Sequence, residues 1–252
     1  MLFRRLLDLR PLLRADGALL LVLLLLVDAA ILGLHLSLTL FGVPGGDHFD
    51  LGVDRSYGEL LMYIKFGWIA VLAFLLAWQR RTAVFVMLGI GSLVILLEDA
   101  LILHERIGWH LNEAVLGMLP ALRGLGILSL QLGELLWLGL LSLVIGVGFV
   151  VAFRRADEDD RRDALSISVF FVLMAFFAVV VDTVHSFFPF GSLGDAVFTF
   201  IEDGGELVSM TPATALAFAL VLRSLRSADL EGQPSTTMSS TVLSGRSPRQ
   251  RA

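Results

Sequence analysis

Six apolar stretches, separated by short polar connections, run along the chain at approximately 18–41, 60–79, 82–104, 126–153, 164–188 and 196–222. At ~1.5 Å of rise per residue, about twenty residues cross a hydrocarbon core of ~30 Å, and each stretch reaches that length. In lipid the backbone polar groups must be satisfied within the segment itself, so the pattern predicts helices. The fold expected is an all-α, polytopic membrane bundle of six transmembrane helices, occupying residues 17–226. The first stretch follows Arg4 and Arg5, as in a signal peptide. Its apolar character continues through Leu40 with no small-x-small site after it, so it reads as a retained span.

The segments outside the spans are of three kinds. Residues 1–16 are basic, amphipathic and broken at Pro11, which suits the inner membrane surface. Residues 105–124 are too polar to span but carry Trp109, Leu111, Val115, Leu116 and Met118, which predicts an interfacial helix on the outer face that Pro120 ends or kinks. Residues 227–252 are rich in Ser, Thr, Gly and Arg and read as a disordered cytoplasmic tail.

Basic residues orient the bundle. If both termini are cytoplasmic, fifteen arginines fall in inner segments, and only Arg55, Arg106 and Arg123 fall outside. Every inner connection then obeys the positive-inside rule. Composition adds exclusions: 56% hydrophobic and 17% charged residues, against about 45–50% and about 25% for a soluble domain, and no cysteine. A disulfide scaffold, a thiolate metal site, thiol catalysis and a basic nucleic-acid binder are all ruled out. Eighteen arginines to one lysine point to a GC-rich bacterial genome, hence to an inner membrane.

An ionised group at mid-span costs about 2.5–3.5 kcal/mol even on the mildest scale. Here such groups form a layer. Glu98, Asp99, Glu134, Asp182, Glu202, Asp203, Glu206 and His35 all fall roughly 8–15 Å from the outer ends of their spans, counted along the helices. Only Asp28 is clearly deeper. Asp182 and His185 (i, i+3) share one side of the fifth helix, and Glu202 and Glu206 (i, i+4) share one side of the sixth. Asp99 and His104 point apart unless the third helix breaks between them. Seven acids in this layer meet Lys65 alone, so protonation, water or a bound cation must neutralise them.

Carboxylates with imidazoles form a ligand set suited to Zn, Mn or Fe. The expected ligands are Asp182, His185, Glu202, Glu206 and His104. Glu98 and Glu134 are candidate acid–base groups, and Lys65 a partner for an acid or a developing anion. His35 reads as a satisfied interhelical histidine. The acid-plus-histidine bundle resembles the di-iron carboxylate proteins in residue type, but those use two Glu-x-x-His motifs, and this chain has a single Asp-x-x-His. It also resembles intramembrane zinc amide hydrolases of the alkaline ceramidase type, without their His-x-x-x-His pair.

The expected function is an outward-facing, membrane-embedded enzyme, a hydrolase or oxidoreductase using a divalent metal on a lipid or another membrane substrate. Lipids are the expected partners, with no nucleic acid. The alternatives are a structural or sensory protein locked by a metal or by protons, and a proton or cation transporter. Against transport, the inner halves of the spans offer only Asp28 and backbone, where a path would have to continue.

Overall fold

In a computed structural model the chain is all-helical. The structure describes residues 7–125 and 128–232. Helix α1 spans Ala15–Phe41, α2 Tyr57–Arg80, α3 Ala83–Ala100, α4 Leu103–Met118 and α5 Leu128–Arg155. Helix α6 spans Glu158–His185, and α7 spans Leu193–Gly232 with Pro212 inside it. Among the described residues there is no strand, and six helices, all but α4, are long and apolar enough to cross a membrane. This architecture is compatible with a multi-pass membrane protein. A single turn at Arg10–Leu13 precedes α1; residues 1–6 of the expected basic segment, and 233–252 of the expected tail, lie outside the described residues.

Three helix starts are capped by side chains, Ser192 accepting from the Asp195 amide (3.1 Å) at α7. Ser56 accepts from the Glu59 amide (3.3 Å) at α2, and Asp157 accepts from the Asp160 amide (2.8 Å) at α6. The third span ends earlier than its hydropathy indicates. It breaks after Ala100, where Ile102 adopts a left-handed conformation (φ 53°), and α4 begins at Leu103.

Helix α7 is the axis of the bundle and packs against α1, α2 and α6. Its Ala215, Leu216 and Leu220 interlock with Leu76 of α2, Phe85 of α3 and Ile167 of α6 in one apolar cluster. Higher up, Leu207 and Met210 meet Phe66, Ile69 and Met174 in a second. Helix α5 joins that core only near its end, through Ala152 with Phe149 and Phe153. It leans on α3 and α4 and hardly touches α6, its neighbour in sequence. Its start is held where Gly133 meets α4: a methyl group there would sit 1.9 Å from the Gly108 carbonyl oxygen. Glycine is required at this crossing because the two backbones are in contact.

The two ends of the bundle differ in chemistry. At one end Arg80 binds Asp160 (2.9 Å) and Asp163 (2.7 Å), Arg223 also binds Asp163, and Arg226 binds Asp16. These pairs tie together the ends of α1, α2, α6 and α7. The opposite end gathers the carboxylates described below. Between them, wholly buried, Lys65 of α2 donates to Asp28 of α1 (2.6 Å) and to the Leu207 carbonyl of α7 (2.7 Å), while Thr211 donates to the other Asp28 oxygen. Lys65 is thus joined to the deepest acid of the chain rather than to the acidic layer.

Removing one member of this pair strands a charge out of water. Lys65→Met is expected to destabilise the detergent-purified protein by about 3–5 kcal/mol, and Lys65→Met with Asp28→Leu to recover most of that loss. Thermal unfolding of the two variants beside the wild type measures both.

Candidate functional site

The residues of the site arise from five helices, α3 to α7. The break at Leu101–Ile102 turns His104 back towards α3, so that its Nδ1 meets Glu98 Oε2 at 2.8 Å. The Glu98 Oε1 atom accepts from the Trp137 indole of α5, also at 2.8 Å. With the helix broken, Asp99 and His104 both line one cavity, which a continuous helix would forbid.

Helix α6 reaches the site through a π-helical stretch, Phe176–Val181, directly before Asp182. One extra residue per turn shifts everything downstream by about 100° relative to an unbroken α-helix. Asp182 and His185 follow it, and both line the cavity. His185 is bridged by two carboxylates of α7: Nδ1 to Glu202 Oε2 at 2.6 Å and Nε2 to Asp195 Oδ1 at 3.0 Å. An imidazole bonds acceptors at both nitrogens only when each carries a proton. Asp182 stands beside Glu202 as well, where two neighbouring carboxyl groups can share a proton. Asp195 is also fixed by the Gly191 amide, at 2.9 Å.

These groups face a cavity of about 2090 Å³, roughly twice the upper end of the ~300–1,000 Å³ typical of small-molecule pockets. Glu134 enters from α5, and Asp203 and Glu206 from α7. No hydrogen bond or ion pair links Asp203 or Glu206 to another described residue. Both lie deep among the helices, yet each keeps part of its surface open to the cavity. Below the acids the cavity continues as an apolar groove between α3, α5 and α6, past Ile95, Leu141, Ile145 and Phe171.

Of the residues expected from sequence, Glu98, Glu134, His104, Asp182, His185, Glu202 and Glu206 all line this cavity, and Lys65 does not. Its ammonium group is spent on Asp28. Nor do the five expected metal ligands converge: among the described residues, no three His, Asp or Glu side chains stand together as a ligand set. His104 is engaged by Glu98, and both nitrogens of His185 are engaged by carboxylates. A metal would have to displace one of these carboxylates to reach a lone pair of His185, whereas His104 is bonded through Nδ1 alone. His35 is buried and accepts the Leu51 amide at Nδ1 (3.1 Å), while its Nε2 has no partner among the described residues.

Two participants escape a sequence reading that starts the last span at Ala196 and assigns tryptophans to packing. Asp195 lies one residue outside that boundary, although its i, i+7 spacing to Glu202 puts both on one helical face. Trp137 carries no signal beyond its type.

Residues 17–223 match a protein family described as a domain of unknown function (DUF8692), and the chain belongs to that family. The match takes in all six long helices except their outermost turns. No curated protein and no solved structure matches the chain.

The hydrogen bond to Glu98 raises the His104 pKa above its ordinary value, against the opposing effect of burial. A raised pKa means that the contact is complete below about pH 6.5 and is lost as pH rises through the folded-state value. Trp137 shares Glu98, so its fluorescence is expected to titrate with a midpoint above about 6.5. In Glu98→Gln that midpoint should fall, and an unchanged midpoint would detach His104 from Glu98.

With both nitrogens of His185 held by carboxylates, elemental analysis of protein purified without chelators is expected to give far less than one Zn, Mn or Fe per chain. A near-stoichiometric metal that disappears in His185→Ala/Glu202→Ala would instead restore the ligand set expected from sequence.

Proposed function

We propose that this protein is a membrane-embedded enzyme of a bacterial inner membrane that works by acid–base chemistry on the polar head of a membrane-borne substrate. The arginine end faces the cytoplasm in this reading, with both termini, because it carries the excess of basic residues. The carboxylate end faces outward, and α4 lies along the outer surface, its Trp109 in the headgroup region.

The observation that carries the proposal is His185, held between Asp195 and Glu202, on the wall of a cavity joining an acidic chamber to an apolar groove. A protonated imidazole so placed delivers a proton to a leaving group. A carboxylate on the facing wall, Glu134, withdraws one from water entering the chamber. Asp195 and Glu202 orient the imidazole, and the shared proton between Asp182 and Glu202 replenishes it. Glu98 is a positioning residue, since both its oxygens are already bonded to His104 and Trp137. A purely structural network would need neither the volume nor the groove.

The test is product formation. Protein in lipid nanodiscs is incubated with a total lipid extract from bacterial membranes, and masses that change with time are followed. A wild-type-dependent product is expected, reduced about 100-fold or more in His185→Ala and in Glu134→Gln, each with wild-type thermal stability. No wild-type-dependent product, or full activity in both variants, would overturn the enzyme reading.

A further inference from the structure

Resting on the reading that the substrate is membrane-borne, we infer that it is a long-chain amphiphile with a cationic head, such as an amine, and that it enters sideways between α5 and α6. Three features carry this, and the first is charge. Thirteen carboxylates line the cavity against a single arginine, Arg106, with no lysine. Asp203 and Glu206, deep in the bundle, have no counter-charge bonded to them among the described residues. Glu98, Asp195 and Glu202, by contrast, each have hydrogen-bonding partners. An ammonium group entering the chamber would meet the two carboxylates that the protein itself leaves unanswered. An anionic head would meet the large excess of carboxylates over cationic groups in the lining, and a neutral one would leave both acids unpaired.

The second feature is shape. The cavity lining on α5 runs from Glu134 to Phe149, and on α6 from Asp182 back to Leu165. Those stretches are on the order of 20 Å long at 1.5 Å per residue. One leaflet of a ~30 Å hydrocarbon core is about 15 Å thick, so a single acyl chain hanging below the acids fits the groove.

The third is access. Helices α5 and α6 part beyond their connecting turn, leaving the groove open along a lipid-facing side. Both flanks of the opening are apolar: Val144 and Val147 on α5, and Val172 and Phe176 on α6, are exposed. On α5, Gly146 lines the groove with open space where a side chain would stand.

That space makes the inference testable without disturbing packing. Spin-labelled sixteen-carbon amine, alcohol and sulfate probes are added to nanodiscs holding the full chain, and the motionally restricted fraction is read by electron paramagnetic resonance against empty discs. The amine is expected to be restricted at least fivefold more than the alcohol or the sulfate. Asp203→Asn/Glu206→Gln should bring the amine down to the level of the alcohol, and Gly146→Phe should abolish restriction of all three. Equal restriction of amine and sulfate would overturn the cationic head, and an unchanged amine signal in Gly146→Phe would overturn the groove as the chain site.

A second measurement does not depend on Gly146→Phe folding. The chain has no cysteine, so Ser142→Cys places one thiol in the groove. Hexadecylamine is expected to protect that thiol from a maleimide, and lack of protection would refute occupancy. Turnover of a lipid with a neutral or anionic head, in the extract assay above, would leave the enzyme reading intact and sink this one alone.

Discussion

Taking a charge out of water is the costly step in this molecule, and its architecture follows from the ways in which that cost is met. The bundle uses two solutions at different depths. Deep inside, Lys65 and Asp28 neutralise each other, and Thr211 and the Leu207 carbonyl fill the remaining bonding positions. The pair thereby joins α1, α2 and α7 at one point. At the carboxylate end the acids outnumber any possible partners, and the helices stand apart around them. Pairing gives a closed core, and an excess of one sign gives a chamber.

This division explains how the same six helices are tightly packed at one end and open at the other. Near the arginine end, alanines and leucines of α7 interlock with α2, α3 and α6, and arginine–aspartate pairs clamp the helix ends. Towards the carboxylates, α5 departs from the core and takes Trp137 and Glu134 to the far wall. The π-helical stretch in α6 and the broken junction between α3 and α4 both occur here, and in the former Phe177 packs directly onto Gly205 of α7. A β-branched residue in left-handed conformation, Ile102, costs about 1–3 kcal/mol, and such strain concentrates at functional sites.

What could be read from the sequence follows the same physics. Spans were legible because hydrocarbon demands long apolar runs, and the acidic layer because helical rise converts position into depth. The helix break was not legible. Leu101 and Ile102 are neither glycine nor proline, and it is tertiary contact, His104 to Glu98, that accompanies the turn. The partner of Lys65 was hidden because a four-carbon stem carries its ammonium group well away from its own depth, down to Asp28. The pairing of the expected metal ligands was not legible, because residue type and depth say nothing of which groups bond one another. His185 had the right chemistry for a metal, but α7 presents it with Asp195 and Glu202 on both sides.

Helix α5 is held at its ends by the tight turn into α6 and by the backbone crossing at Gly108 and Gly133, and between them it rests on α3. Its 28 residues amount to roughly 42 Å, beyond a ~30 Å hydrocarbon core, and tilting is one way to accommodate that excess. A strut fixed near both ends and longer than the layer it crosses takes its inclination from that layer. The width of the aperture beside it therefore belongs as much to the bilayer as to the polypeptide. Thick and thin membranes would present the same chain with differently shaped doors.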